Sequence, residues 1–247
     1  VSWYTDAKYA LSDGLCVVLE PATPAAFAQY CSRFIDGFIV TGELLVLSCL
    51  IGFIVAVGVV LARLSQSAAL SWVATSYCYV LRGTPLLVQL WLAYFGLGAL
   101  GAENLGPFWP IFSNSWLVGL LVLILNTSAY VAEILRGGLV NLHRGQMEAA
   151  LACGMSWLAA MRHILLPQAI RISWPAYGNE VILLMKGSAL VSTITVLDLM
   201  GQTRTIFART YALDVYLYAA VLYLVLAALI TLFFKAFERR WARQSGA

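Results

Sequence analysis

The stretch MEAALACGMSWLAAMRHILLP, residues 147–167, interrupts a chain that otherwise seeks apolar surroundings. It lies between two long apolar runs, yet it is built from Glu, Ala and Gly and ends in Leu-Pro. Ala149 and Ala150 favour a helix of low profile, which lets another backbone approach closely. Gly154 suits a turn that ends such a helix. Pro167 is expected to stop a second short helix before the chain re-enters the membrane near Pro175. Met155, Trp157 and Leu158 would form an awkward apolar cluster on a bare aqueous loop, so they are expected to be covered.

The solvent follows from composition. Of 247 residues, 62% are hydrophobic and only 11% charged, far below the roughly 25% charged of soluble domains. The chain therefore reads as an all-α integral membrane protein. A net charge of +3, with scattered basic residues, gives no nucleic-acid surface.

Four stretches have the length of about 20 apolar residues that crosses a bilayer. They run near Phe38 to Ala62, Ser115 to Leu135, Trp174 to Val196 and Val215 to Phe234. A fifth, Pro85 to Leu100, is shorter and opens with a proline suited to a helix's first position. Upstream of it, ALSWVATSYCYVLRG is apolar enough to lie in the interface. Five spans put the termini on opposite sides. With the C-terminus inside, ten basic residues fall in inner segments and four in outer ones, so the N-terminus is expected outside.

Residues 1–37 lack the charged start, apolar run and cleavage site of a signal peptide. They read as a periplasmic segment with an interfacial helix, and residues 38–247 as the membrane domain. Cys16 and Cys31 share that outer segment, where oxidation is possible, and their pairing stays open. Cys49, Cys78 and Cys153 show no metal-ligand spacing and read as small buried hydrophobes.

No duplicated half is visible. With Lys8, Lys186 and Lys235 as the only lysines, no Walker A loop is possible. Energy for uphill transport must then come from a partner or an ion gradient. His143 and His163, the only imidazoles, have no nucleophile partner and read as ordinary surface histidines.

Polar residues inside the spans mark a candidate path. Asn126, Tyr130 and Glu133 share one helical face, as do Asn179, Ile182 and Lys186, with Glu180 beside them and Ser188 just beyond Gly187. Ionisable groups at the bilayer centre cost about 2.5–3.5 kcal/mol and should face protein or water. Glu180 and Lys186 suit the two ends of a zwitterionic amino acid, or could neutralise each other or a sister subunit. Glu133 is placed for an i, i+3 pair with Arg136. Arg82 reads as an interfacial anchor and Asp198 as a helix cap.

Glu148, Ala149, Ala150, Gly154, Ile164, Leu166 and Pro167 stand at the spacing of the EAA loop, and so resemble importer-type ABC permeases. RGTPLLVQL (82–90), NTSAYVAEILRGGL (126–139), PAYGNEVILLMKGSAL (175–190) and FERRW (237–241) extend the resemblance to the M-type permeases of basic amino-acid and opine uptake. The resemblance implies a type I ABC importer domain in a bacterial inner membrane. Its coupling loop would lie near residues 137–171, with Glu148, Ala149, Ala150, Gly154, Met155, Leu166 and Pro167 seated on an ATPase. The partners implied are a homologous Q-type permease, two cytoplasmic ATPases and a periplasmic binding protein. No cofactor or metal is expected in this chain, and ATP and Mg belong to the ATPases. A secondary carrier or channel with an ion relay, or a scaffold that recruits an ATPase, are the competing readings.

Overall fold

The computed structural model describes residues 29–143 and 145–244, together with Ala10, residues 12–14 and Cys16. Among the described residues every regular element is helical. The order is α1 (Cys31–Arg63), α2 (Ala68–Gly83), α3 (Leu86–Trp91) with a π-helical extension (Leu92–Leu97), α4 (Gly101–Leu105), α5 (Trp109–Phe112), α6 (Ser115–Val140), α7 (Gly145–Ala152) and α8 (Trp157–Ala160). A π-helical turn (Met161–Leu165) then leads into α9 (Leu166–Ser188), a 3-10 segment (Ala189–Ile194), α10 (Leu199–Thr210) and α11 (Asp214–Gln244).

Three helices, α1, α6 and α11, are long and apolar enough to cross a membrane alone. The number reaches five if each of two bent pairs counts as one span. The fifth expected span is thus no straight helix. Gly83 ends α2, and the chain turns by 104° before α3 continues. Thr84 is extended (φ −110°, ψ 142°), because a residue followed by proline is pushed out of the α region. The Thr84 hydroxyl donates to the Val80 carbonyl at 2.8 Å, occupying an acceptor at the end of α2. Pro85 sits one residue before the helix rather than at its first position. The other expected boundary, between residues 37 and 38, falls inside the unbroken α1.

Burial differs sharply among the three long helices. The apolar window of α6 is 61% buried within the chain, against 33% for α1 and 22% for α11. Most of the apolar window of α1 and of α11 is thus left uncovered by the chain, and least of that of α6.

The chain forms two compact units. The first holds the described residues up to Leu47, Leu86–Leu123 and Leu184–Ala228. Its core joins Cys31, Phe34 and Ile35 of α1 to Leu199 and Ile206 of α10 and Val215 and Ala219 of α11. Cys16 and Cys31 are joined by a disulfide, which resolves the pairing that the sequence left open. Asp198 caps α10, its Oδ1 accepting from the Gly201 N–H at 2.9 Å, as the sequence suggested. Thr41 Oγ1 accepts from Leu199 N at 3.1 Å, so a second donor of that first turn is also paired.

The second unit holds Ser48–Pro85, Ile124–Leu183 and the described residues from Leu229. Its core includes Ala56, Val60, Cys78, Val131, Leu135, Ala160, Met161 and Ala169. Since lipid tails are as apolar as leucine, burial of such residues drives helix association weakly in a membrane, and close packing of small residues does more. Gly138 provides that closeness. A Cβ there would lie 2.8 Å from the Ala169 carbonyl oxygen and would collide with Ser173 Oγ. Ser173 Oγ in turn donates to the Ile134 carbonyl at 3.0 Å, tying α9 to α6.

Candidate functional site

The stretch quoted at the outset forms an elbow of two helices in the second unit. Helix α7 ends at Ala152, and Gly154 adopts φ 82°. The Gly154 N–H donates to Leu151 O at 2.9 Å and the Met155 N–H to Ala150 O at 3.1 Å. This pair of bonds around a left-handed glycine is the Schellman helix stop. Ser156 then caps α8, its side chain accepting from the Ala159 N–H at 3.3 Å. The expected glycine turn is therefore present.

Pro167 does not stop a helix, contrary to the sequence reading. From Trp157 to Ile194 the helical run is continuous, and a π turn precedes the proline. The Leu166 N–H bonds to Met161 O, five residues back. This widened turn accommodates a ring that would clash with an ordinary helical carbonyl, and it absorbs the register lost with the missing N–H.

The elbow has an inner and an outer face. Ala150 is 4% exposed, and Met155 and Trp157 pack against the core of their own unit. Of the apolar cluster expected to be covered, Met155 and Trp157 are thus half-buried on the chain itself, and Leu158 remains 59% exposed. Glu148 and Ala149 face outward, Leu166 is half-buried and Pro167 is exposed. Beside Glu148 lies a surface cavity of about 410 Å³, lined also by Leu139, Val140, Leu142, His143, Met147 and Leu165. Cys153, expected to be buried, is exposed on the elbow, whereas Cys78 is buried as expected.

A second feature of this unit is an ion-pair node on Glu133. Arg136 Nε donates to Glu133 Oε1 at 2.8 Å, the i, i+3 pair that the sequence suggested. Arg63 of α1 binds Oε2, and Arg82 of α2 approaches the same oxygen at 3.4 Å. Neither of these two partners could be read from local spacing. Sequence reasoning gave Arg82 to the membrane interface, and the structure gives it to this node.

The path residues divide. Asn126 and Tyr130 do share a face, but both brace the end of α2. Asn126 Nδ2 donates to Leu81 O and Tyr130 OH to Arg82 O, each at 3.3 Å. Asn179 is exposed and Glu180 is buried in the second unit. In the first unit Lys186 is exposed, while the buried Ser188 hydroxyl donates to Met185 O at 2.8 Å. Among the described residues no group of three or more His, Cys, Asp or Glu stands close enough to hold a metal ion.

With this geometry in hand, the chain can be compared with known proteins. Residues 54–243 match the family described as binding-protein-dependent transport system inner membrane component. The nopaline transport system permease protein NocM of Agrobacterium fabrum is 42% identical over 75% of this chain and 78% of its own. The octopine transport system permease protein OccM of Rhizobium radiobacter is 37% identical over 90% of both chains. The histidine/lysine/arginine/ornithine transport system permease protein HisM of Escherichia coli K12 is 39% identical over 83% of this chain and 90% of its own. Among solved structures, an amino acid ABC transporter with histidines superposes with a TM-score of 0.76 at 38% identity, covering 87% of this chain and 97% of its own. The inward-facing MetNI methionine ABC transporter shares the fold, with a TM-score of 0.72 at 18% identity, covering 88% of this chain and 99% of its own. The elbow, the bent spans and these likenesses agree: the chain belongs to the binding-protein-dependent transport system inner membrane components and has the fold of a type I ABC importer permease.

Proposed function

We propose that this chain is the membrane permease subunit of an ATP-driven importer for polar amino acids or opines, coupled to cytoplasmic ATPases through the α7 elbow. The observation that carries this reading is the outer face of the elbow, where Ala149 is exposed and the exposed Glu148 borders a cavity, on a helix pair seated firmly on its own core. A lever needs both properties. Its inner side must be rigid so that motion is transmitted, and its outer side must be open to the partner that supplies the motion.

The partners are a homologous permease, two ATPases that hold ATP and Mg, and a periplasmic binding protein. Closure of the ATPases on nucleotide then shifts the permease between inward-open and outward-open states. The membrane is the bacterial inner membrane, with the N-terminus outside and the C-terminus in the cytoplasm. The excess of basic residues on the inner segments supports this orientation. So does the Cys16–Cys31 disulfide, which belongs on an oxidising side. Relatives named for nopaline, octopine, histidine and arginine transport support the substrate class.

Glu148→Arg tests the reading directly. It is expected to leave membrane insertion and subunit recovery intact while abolishing substrate-stimulated ATP hydrolysis in the reconstituted complex. Normal stimulation in that variant would refute the assignment. Uptake that persists without any ATPase subunit would favour a carrier.

A further inference from the structure

Helix α11 carries no charged residue from Val215 to Phe234, a run of about the length that crosses a bilayer core. The first cation after that run is Lys235, followed by Arg239 and Arg240. Lys235 and Arg239 stand at i, i+4 on one helical face, with Arg240 beside them. Leu229, Leu232 and Phe233 lie on the same face one to two turns earlier, and all six residues are exposed. An apolar stripe thus ends in three positive charges at the level where the headgroups of a bilayer begin.

The opposite face of these turns is fixed to α9, within the second unit. The Phe234 ring lies 4.7 Å and the Phe237 ring 5.6 Å from the Trp174 ring, centroid to centroid. Trp174 Nε1 donates to the Phe234 carbonyl at 3.3 Å. The turns that carry the cations are therefore held in place before a ligand arrives, which lowers the entropy cost of binding. The cations themselves are unmatched. Glu238, the acid of the same turns, is half-buried, and among the described residues neither it nor any of the three cations makes an ion pair.

We propose that the end of α11 binds an anionic phospholipid, with Lys235, Arg239 and Arg240 on its phosphate and Leu229, Leu232 and Phe233 along an acyl chain. The residue sizes favour lipid over a protein partner. Helices that pack in a membrane approach through small residues, and Ala236 is the one small residue among the exposed positions from Leu229 to Arg240. Long cationic side chains lie along acyl chains while their heads reach the headgroup layer. An anionic lipid brings net negative charge to this cluster, whereas the phosphate of a zwitterionic lipid is offset by its own ammonium. A soluble phosphate would satisfy the cations but leave the apolar stripe without a partner. The proposal concerns the outer face of α11 and goes beyond the importer reading.

The test counts lipids bound to the purified complex of this chain with its partner subunits by native mass spectrometry, in titrations with phosphatidylglycerol and phosphatidylethanolamine of identical acyl chains. Lys235→Gln, Arg239→Gln and Arg240→Gln combined should remove at least one tightly bound phosphatidylglycerol per copy of this chain and leave phosphatidylethanolamine binding unchanged. Each substitution alone should weaken that site roughly five-fold, and the single variants carry the same comparison if the triple variant is not recovered. Lys235→Arg with Arg239→Lys and Arg240→Lys, which keeps every charge, should retain the site. Leu232→Ala with Phe233→Ala should weaken both lipids alike. An unchanged phosphatidylglycerol count in the Gln variants, an equal loss of both lipids there, or loss of a protein subunit with the lipid count unmoved overturns the proposal. So does displacement of the lipid by an equal concentration of glycerol phosphate, which would make the ligand a soluble phosphate. No arm reads transport, so failure here leaves the importer reading standing, and failure of that reading leaves this result standing.

Discussion

Glu133 and Asp198 are carboxylates of the helical framework, the first partly buried with its side chain 23% exposed and the second fully buried, and the chain accommodates them in opposite ways. Asp198 is fully buried, and its Oδ1 accepts a backbone N–H at the start of α10. Among the described residues it has no arginine or lysine partner. Glu133 sits within α6 and gathers guanidiniums from α1, α2 and its own helix. The first is stabilised by backbone donors and the helix dipole, the second by full charges brought together by the tertiary fold. A cap can lose its charge and still work, provided that an acceptor oxygen remains. A node cannot, because its cations are left facing one another.

The largest effect is therefore expected at Glu133. Glu133→Ala should lower stability by about 3 kcal/mol, the lower end of the cost of breaking a buried pair, since Arg82 and Arg136 are partly solvated. Thermal unfolding of the purified complex in detergent measures it. Glu133→Gln keeps the shape and should recover only a minor part of the loss; full recovery would mean that packing rather than charge holds the node. The next effect separates the partners by burial. Arg63, with a side chain 14% exposed, should cost about 2 kcal/mol as Arg63→Ala, and Arg136, at 37%, at most about 1 kcal/mol. Equal losses would break the link between burial and the strength of each pair.

This contrast also explains what could be read from sequence. Asp198 as a cap and the Arg136 partner of Glu133 were legible because each depends on neighbours within three or four residues along one helix. Arg63 and Arg82 were not, because no local period connects α1 and α2 to residue 133. The long spans were legible from 20-residue apolar windows, and the elbow from Gly154, whose left-handed φ suits that residue. Pro167 misled for a definite reason. An interior proline ordinarily kinks or breaks a helix, and here a π turn set by backbone hydrogen bonds precedes Pro167 and the helix continues. Met155 and Trp157 were expected to be covered and do pack against the core of their own unit, while periodicity alone does not distinguish cover by the chain itself from cover by a partner. Among the path residues, sequence gave the right face for Asn126 and Tyr130 but not their use in bracing α2.

The smallest effect is expected where the charge itself matters least. Asn is as good an N-cap as Asp, since its side-chain oxygen can accept the same Gly201 N–H. Asp198→Asn removes the favourable interaction with the helix dipole and also removes a fully buried charge, two changes of opposite sign. The net change in stability should stay within about 0.5 kcal/mol. Asp198→Ala removes the acceptor as well and should cost about 1–2 kcal/mol, the ordinary loss of a cap. Melting temperatures of the two variants, compared side by side, decide the point. If Asn proved as damaging as Ala, the negative charge rather than the acceptor oxygen would be holding this turn. The two carboxylates would then be stabilised by the same means, and the ranking that puts Glu133 first would lose its physical basis.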